Sequence, residues 1–425
     1  KSQHLINIIY NLMINTLKLK GNSVFNVSKR FYNVEYLNLD KLRNSVHPLY
    51  EVNKFSKLQT LRWKKDTTNK SQLQNIFIVK KPETKETTEY MSLIITKLLT
   101  EIYYKHNAYN IIVQEECKED LKKSLKKFGY YDETLRIYTG SNQEIIEKTD
   151  LMITLGGDGT ILHAVGMFNK NIVPPILPIS LGTLGFLLPY QISEFDQAFQ
   201  AISNNKSKVI SRTRLACHLK DSILKKPSSN CSGKYEKVFA MNDIFIYRGN
   251  SPHLLNLDIF IDGEKLTTAI ADGVILSTPT GSTAYSLSSG GSIVSPGVPC
   301  IMLTPICPRS LSFRPLILPY SSHIKIKVVD NKRVGDMKDS PAKLSIDSVV
   351  QCDLKHGDEI HVINEVGTIY THQNQDIPFK DIIIKDDEYK ENKLAGIHCI
   401  TKGENYWTQE INELLGFNST FKSKK

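Results

Sequence analysis

The chain predicts an α/β domain with a mainly parallel sheet, followed by an all-β domain and a closing helix. Three observations carry that expectation. Strand-like and helix-like stretches alternate between residues 75 and 206, the pattern that builds a parallel sheet covered on both faces. One of those strands runs straight into a glycine turn and then a helical pattern. After residue 207 the texture changes to short β-rich runs separated by turn residues.

Taken in order, Asn75–Val79 reads as a strand, and Met91, Ile94, Leu98 and Ile102 mark a helix face. Ile111–Gln114 is a second strand and 142–148 a second helix. The run Leu151–Thr160 is the strand and glycine turn, with Ile161, Val165 and Phe168 on one face of the helix that follows. Pro178–Phe186 reads as a buried strand ending in a turn, and Phe195, Ala198, Phe199 and Ile202 fit one helix face. In the second domain the strand runs are Val209–Leu219, Val238–Tyr247, Leu254–Ile261, Val274–Thr278, Ile324–Val329, Glu359–Ile363 and Thr368–Thr371. Polar insertions at 225–234 and 330–341 read as surface loops. A last helix over 405–415 places Trp407, Ile411 and Leu414 or Leu415 on one face. The resulting organisation is 1–34 as a presequence, 35–74 as a weakly patterned lead-in, 75–206 as the α/β domain, 207–400 as the β-rich domain, and 401–425 as helix and basic tail.

The net charge of +10 sits mostly at the two ends. Lys1, Lys18, Lys20, Lys29 and Arg30 precede the first acid, Glu35, and Lys422, Lys424 and Lys425 close the chain. The body between is close to neutral, which argues against a broad nucleic-acid surface. The acid-free, partly amphipathic first 34 residues have the composition of a mitochondrial presequence, with the cytoplasm as the alternative location. Their apolar part is interrupted by Asn7, Asn11 and Asn15 and is too short to span a bilayer, so no membrane insertion is expected. Seven scattered cysteines with no Cys-x-x-Cys pair fit reduced thiols and give no zinc-type spacing.

The glycine turn Gly156-Gly157-Asp158-Gly159-Thr160 is suited to a phosphate. Glycines let backbone approach an anion, and free N–H groups of turn and helix start point at it. Asp158 would be out of place in such a site unless it handles a proton or a metal. Downstream, Asp272–Ser286 is a buried strand running into a loop rich in hydroxyls: Thr280, Ser282, Thr283, Tyr285 and Ser286. That inventory suits the sugar, amide and base of a nucleoside, and Tyr285 can stack on a flat ring. Asn242 and Asp243 open an apolar strand, where two polar side chains are costly unless satisfied; they are candidates to clamp ribose hydroxyls. His253 begins the next strand.

These segments together resemble the NAD kinases. The Gly-Gly-Asp-Gly-Thr turn is shared with diacylglycerol and sphingosine lipid kinases and with phosphofructokinase. Lipid kinases, however, continue with Gly-Thr-Gly-Asn-Asp, whereas this chain has Leu181-Gly-Thr-Leu-Gly-Phe-Leu187, as NAD kinases do. The Asn242-Asp243 pair, the Ser-Thr-Pro-Thr-Gly-Ser-Thr-Ala-Tyr-Ser run ending at Ser286, and Pro305–Pro315 match as well. The resemblance covers roughly residues 70–420. Leu58–Pro82 and the presequence-like start resemble the mitochondrial NADH kinase branch.

The resemblance implies the two-domain NAD kinase fold with a Rossmann-like first sheet. It implies ATP-dependent phosphorylation of the 2′-hydroxyl of the adenosine ribose of NAD or NADH, with Mg²⁺ accompanying ATP and no dedicated protein metal site. Asp158 would be the proton acceptor, with Gly157, Gly159 and Thr160 in the phosphate turn. Asn242 and Asp243 would hold the dinucleotide, with His253 nearby. Asp272, Thr283, Ala284, Tyr285, Ser286 and Ser288 would line base and ribose pockets. Relatives assemble, so a homo-oligomer is expected. Two positions depart from the family: Ile270 stands where a basic residue is frequent, and Asp347-Ser348 replaces an Asp-Gly, which puts a glycine-dependent turn there in question. A lipid kinase and a non-catalytic nucleotide sensor are the competing functions.

Overall fold

The structure, a computed structural model, describes residues 33–52, 56–65, 71–81, 85–99, 109–127, 134–168, 172–182, 185–220, 235–329, 342–365, 367–370, 383–386 and 396–417. It divides into two compact units.

The first unit takes the described residues of Lys1–Pro48, Trp63–Thr160 and Leu177–Ser207. Its strands lie in the order Asn33–Asn38, Thr134–Thr139, Asn110–Ile112, Asn75–Lys80, Leu151–Gly156, Ile176–Ser180. The first four neighbouring pairs are parallel. Every residue of Asn75–Lys80 and of Ile176–Ser180 is buried, as expected of strands covered on both faces. The helices are Lys85–Leu99, Lys118–Lys127, Asn142–Lys148 and Phe195–Ser203. Asn142–Lys148 starts with a capping box, in which Ser141 and Glu144 satisfy each other's backbone N–H. Phe195, Ala198, Phe199 and Ile202 are all buried, as their spacing predicts.

The second unit takes Leu49–Arg62, Ile161–Ile176 and the described residues of Lys208–Lys425. Two six-stranded sheets dominate it. One runs Tyr235–Ala240, Leu215–Lys220, Glu359–Asn364, Ile324–Val329, Leu255–Ile261, Glu264–Ala271. The other runs Leu316–Pro319, Cys300–Ile306, Gly273–Ser277, Asp243–Tyr247, Ala342–Ile346, Val349–Leu354. All pairs are antiparallel. Leu215, Leu257, Ile326 and Val362 of the first meet Ile246, Val274, Leu303 and Leu344 of the second in one buried cluster. Burial alternates along Ile324–Val329, as an antiparallel strand with one face on a core requires. A smaller antiparallel group joins Leu49–Val52, Gln59–Arg62, Lys208–Arg212 and Ile397–Thr401. The closing helix is Tyr406–Leu415, with Ile411 buried and Trp407, Leu414 and Leu415 half-buried.

Several expectations change. The weakly patterned lead-in 35–74 carries strands: it supplies Leu49–Val52 and Gln59–Arg62 to one unit and most of Asn33–Asn38 to the other. That last strand begins inside the 1–34 stretch; residues 1–32 lie outside the described residues. Val209–Leu219 is two strands broken at Thr213-Arg214, which pair in different sheets. Val238–Tyr247 is likewise two strands, broken at Met241-Asn242, where backbone N–H groups turn to a side chain instead of a neighbouring strand. The insertions 225–234 and 330–341 lie outside the described residues. No helix among the described residues is long and apolar enough to cross a membrane.

Candidate functional site

In the first unit, the strand Leu151–Gly156 delivers the chain to a helix that starts at Asp158 itself. Gly156 has φ +155°, and a methyl group there would overlap the Thr160 hydroxyl, so only glycine fits. Gly157 and Gly159 differ: nothing lies within 4 Å of where a side chain would stand, and both are exposed. That open flank at a helix N-terminus is where an anion could approach. Thr160 is buried and its N–H donates to the Gly157 carbonyl at 2.9 Å, closing the turn.

The Asp158 carboxylate is held by the second glycine motif. The Phe186 N–H donates to Oδ2 and the Leu187 N–H to Oδ1, both at 3.1 Å. Gly185 lies so close to the carboxylate that a methyl group would overlap it. The segment that separates this chain from lipid kinases in sequence therefore has a physical role, which is to fix the orientation of Asp158.

In the second unit, two motifs meet. Asp243 pairs with Ser277 across neighbouring strands, which sets the Asn242 turn beside the loop that follows Ser277. Gly281 presses on the backbone of Asn242, and any side chain there would overlap the Asn242 carbonyl. Asn242 Oδ1 is buried and has no hydrogen-bond partner among the described residues. A buried carbonyl oxygen left without a donor is costly, which is what a ligand-binding group shows before its ligand arrives.

The hydroxyls of the loop serve the protein more than the sequence suggests. Thr283 Oγ1 donates to the Thr280 carbonyl at 3.2 Å, and Ser286 Oγ pairs with Thr304 Oγ1 at 2.8 Å. Ser282 accepts from the Val294 N–H at 3.0 Å. Thr280 accepts from Arg212 Nη1 at 3.3 Å, a buried guanidinium that sequence reasoning missed. Buried hydroxyls need partners, and here they find them within the protein, mostly outside the loop itself. Tyr285 and Ser288 remain exposed beside the half-buried Ala284. The Tyr285 ring meets Phe245 edge-on at 5.0 Å, and Phe245 stacks on Tyr247 at 4.6 Å, making an aromatic row along the strand.

Asp272 does not join Asn242. Asp272 precedes Gly273, which pairs with Tyr247 at the other end of the ladder from Asp243. At about 3.4 Å per residue, the two ends lie on the order of 15 Å apart. There Asp272 is bound by Arg248, Nε to Oδ1 at 2.7 Å. His253 is exposed, its N–H on Ser251 Oγ at 3.3 Å.

Burial, reinforced by the Asp347 carboxylate, pushes the Asp243 carboxyl up to about 7 from its ordinary 3.8. The folded protein thus keeps a proton that the unfolded chain releases. Stability from this group is full below the unfolded value and is lost as pH rises through the folded one. Asp243→Asn removes that loss, so thermal melts should show the variant gaining on wild type from about pH 4 to about pH 7 and no further above it. A gap that stays constant over the range contradicts this reading.

Comparison with known proteins agrees with both halves of this description. The ATP-NAD kinase N-terminal domain matches residues 76–207, and the ATP-NAD kinase C-terminal domain matches residues 241–371. The mitochondrial NADH kinase of Saccharomyces cerevisiae is 48% identical over 413 residues, 96% of this chain and 93% of that protein. The mitochondrial NADH kinase of Schizosaccharomyces pombe is 35% identical over 413 residues, 95% of this chain and 89% of that protein. A crystal structure of yeast NADH kinase complexed with NADH superposes with a TM-score of 0.75 at 46% identity, over 92% of this chain and all of that one. An α/β unit carrying the clamped Asp158 turn, an antiparallel unit carrying Asn242 and Asp243, and full-length relatives of one kind lead to one conclusion: the chain belongs to the NAD kinase family.

Proposed function

We propose that the protein transfers the γ-phosphoryl group of ATP to the 2′-hydroxyl of the adenosine ribose of NAD or NADH, giving NADP or NADPH. The observation that carries this is Asp158: a carboxylate fixed by two backbone amides at the mouth of an open glycine turn. The ribose oxygen bonds to the γ-phosphorus, the bond to the bridging oxygen of ADP breaks, and the hydroxyl proton passes to Asp158. Phosphoryl transfer needs positioning and charge neutralisation more than covalent help, and a general base adds about 10²–10⁴-fold. Asn242, with its unpartnered oxygen, and Asp243 hold the nucleoside, and Tyr285 offers it a flat face. Among the described residues no group of three or more His, Cys, Asp or Glu side chains could hold a metal. Mg²⁺ usually keeps several waters and takes one or two carboxylates plus substrate phosphates, and Asp158 beside the open glycine turn fits an ion that would arrive with ATP. When bound, it neutralises phosphate charge.

The test is direct. Purified protein with Mg-ATP is given NAD, NADH or diacylglycerol separately. Phosphorylation of the dinucleotides alone is expected; labelled lipid, or none of the three, overturns the proposal.

We place the protein in the mitochondrial matrix, supported by the basic, acid-free stretch 1–34 and by two relatives named as mitochondrial NADH kinases. A diffuse cytosolic signal from a fluorescent fusion of residues 1–40 would count against this. We also propose a homo-oligomer, read out by light scattering.

A further inference from the structure

Met241, Asn242 and Asp243 present six backbone polar groups, and two residues satisfy all of them. The N–H groups of the three residues converge on the Asp347 carboxylate: Met241 on Oδ2 at 2.8 Å, Asn242 on Oδ1 at 2.7 Å and Asp243 on Oδ1 at 3.1 Å. The Asp243 carbonyl accepts the Asp347 N–H at 3.0 Å. From the other side, the Met241 carbonyl accepts Thr278 Oγ1 at 2.6 Å and the Asn242 carbonyl accepts the Thr278 N–H at 3.0 Å. With the backbone fully occupied, the side chains of Asn242 and Asp243 are what remains to meet a ligand, and Asn242 Oδ1 is buried without a partner among the described residues.

We infer that Asp347 and Thr278 are positioning residues of the dinucleotide site, a two-sided clamp that sets the aim of Asn242 and Asp243. The inference rests on the kinase reading above. Two features argue that the carboxylate is there for this purpose. Asp347 and Ser348 have φ of 46° and 67°, so the turn between Ala342–Ile346 and Val349–Leu354 forms with both residues in the left-handed region. Asn-Gly and Asp-Gly are favoured pairs for such a hairpin turn, so turn chemistry admits the acid but not the serine after it, and a serine held there points to a turn fixed by other bonds. Burying a carboxylate is also costly, and three amide donors are what offset it. An asparagine could not replace it: its NH₂ would face one of the three N–H groups, donor against donor. The doubt raised by the missing glycine is thus resolved, because the turn is held in place by the side chain of its first residue.

Steady-state kinetics of the full chain test this, with NADH and ATP varied in turn. Asp347→Asn and Thr278→Val should each raise KM for NADH about tenfold, leaving KM for ATP within about twofold. Thr278→Ser, which restores the hydroxyl, should return KM for NADH to the wild-type value. Ser348→Gly should change neither constant. The inference is overturned if the folded variants lower only the melting temperature, or raise both KM values together. If Asp347→Asn does not fold, the Val and Ser variants of Thr278 carry the test. If wild type fails to phosphorylate NADH, the kinase reading fails instead, and NADH fluorescence titration of the same variants still decides the clamp: weaker binding supports it, equal binding overturns it.

Discussion

Asp158→Asn should leave the protein folded and lower kcat by about 10²–10⁴-fold, the range of a general base. The substitution keeps size and shape, so the strand, turn and helix around it persist. A structural cost arises at the clamp. The Phe186 and Leu187 amides each donate to a different carboxylate oxygen, and an asparagine offers only one oxygen to the pair. Losing one such bond to a charged group is worth about 1.5–3 kcal/mol, visible as a fall in melting temperature. The catalytic loss should be larger, because the amide has no basic site for the ribose proton. Gly185→Ala provides the complementary case: the acid remains, but a methyl group pushes it from its place. A wild-type kcat in Asp158→Asn, measured with both substrates saturating, would end the assignment.

Asp150→Ala should cost about 3–5 kcal/mol, the range for breaking a buried charge pair, with little effect on turnover per folded molecule. The Asp150 side chain is fully buried and accepts five hydrogen bonds. Arg43 gives two, Nη1 at 3.0 Å and Nη2 at 2.6 Å. The N–H groups of Val46, Gln74 and Asn75 give the others at 2.7, 3.0 and 2.9 Å. It therefore ties the chain around Arg43 to the start of Asn75–Lys80, at the centre of the parallel sheet. Removing it strands three backbone donors and takes the counter-charge from a one-third exposed guanidinium, which keeps its bonds to Gln74, Asn44 and Gln72. Urea unfolding followed by far-UV circular dichroism measures the change; a loss below about 1 kcal/mol would mean these bonds are replaced by water at little cost.

What could be read from sequence, and what could not, follows the range of the interactions. The glycine turn, the helix face of Ile161, Val165 and Phe168, and the buried face of Phe195–Ser203 are local patterns, and the structure keeps them. The reach of Asp158 to residues 186 and 187, and of Asp347 to 241–243, spans from about thirty to over a hundred residues. Nothing local announces such contacts; the only trace of the second is an Asp-Ser where a turn prefers glycine. The strand break at Thr213-Arg214 is invisible in sequence because β-formers continue on both sides, whereas the Asn242-Asp243 pair already marks the opening of a strand. The hydroxyl-rich loop is legible as a site but not in its working parts. Residue type shows what a hydroxyl can do, and only packing shows that Ser282, Thr283 and Ser286 are bound within the protein.

The most direct measurement is the position of the phosphate on the product. Phosphorus NMR of the dinucleotide made from NADH and Mg-ATP should show one new phosphomonoester coupled to the ribose 2′-proton, absent when Asp158→Asn replaces wild type. A 3′-phosphate, or transfer to an acceptor other than the dinucleotide, would contradict an Asp158 that faces the 2′-hydroxyl.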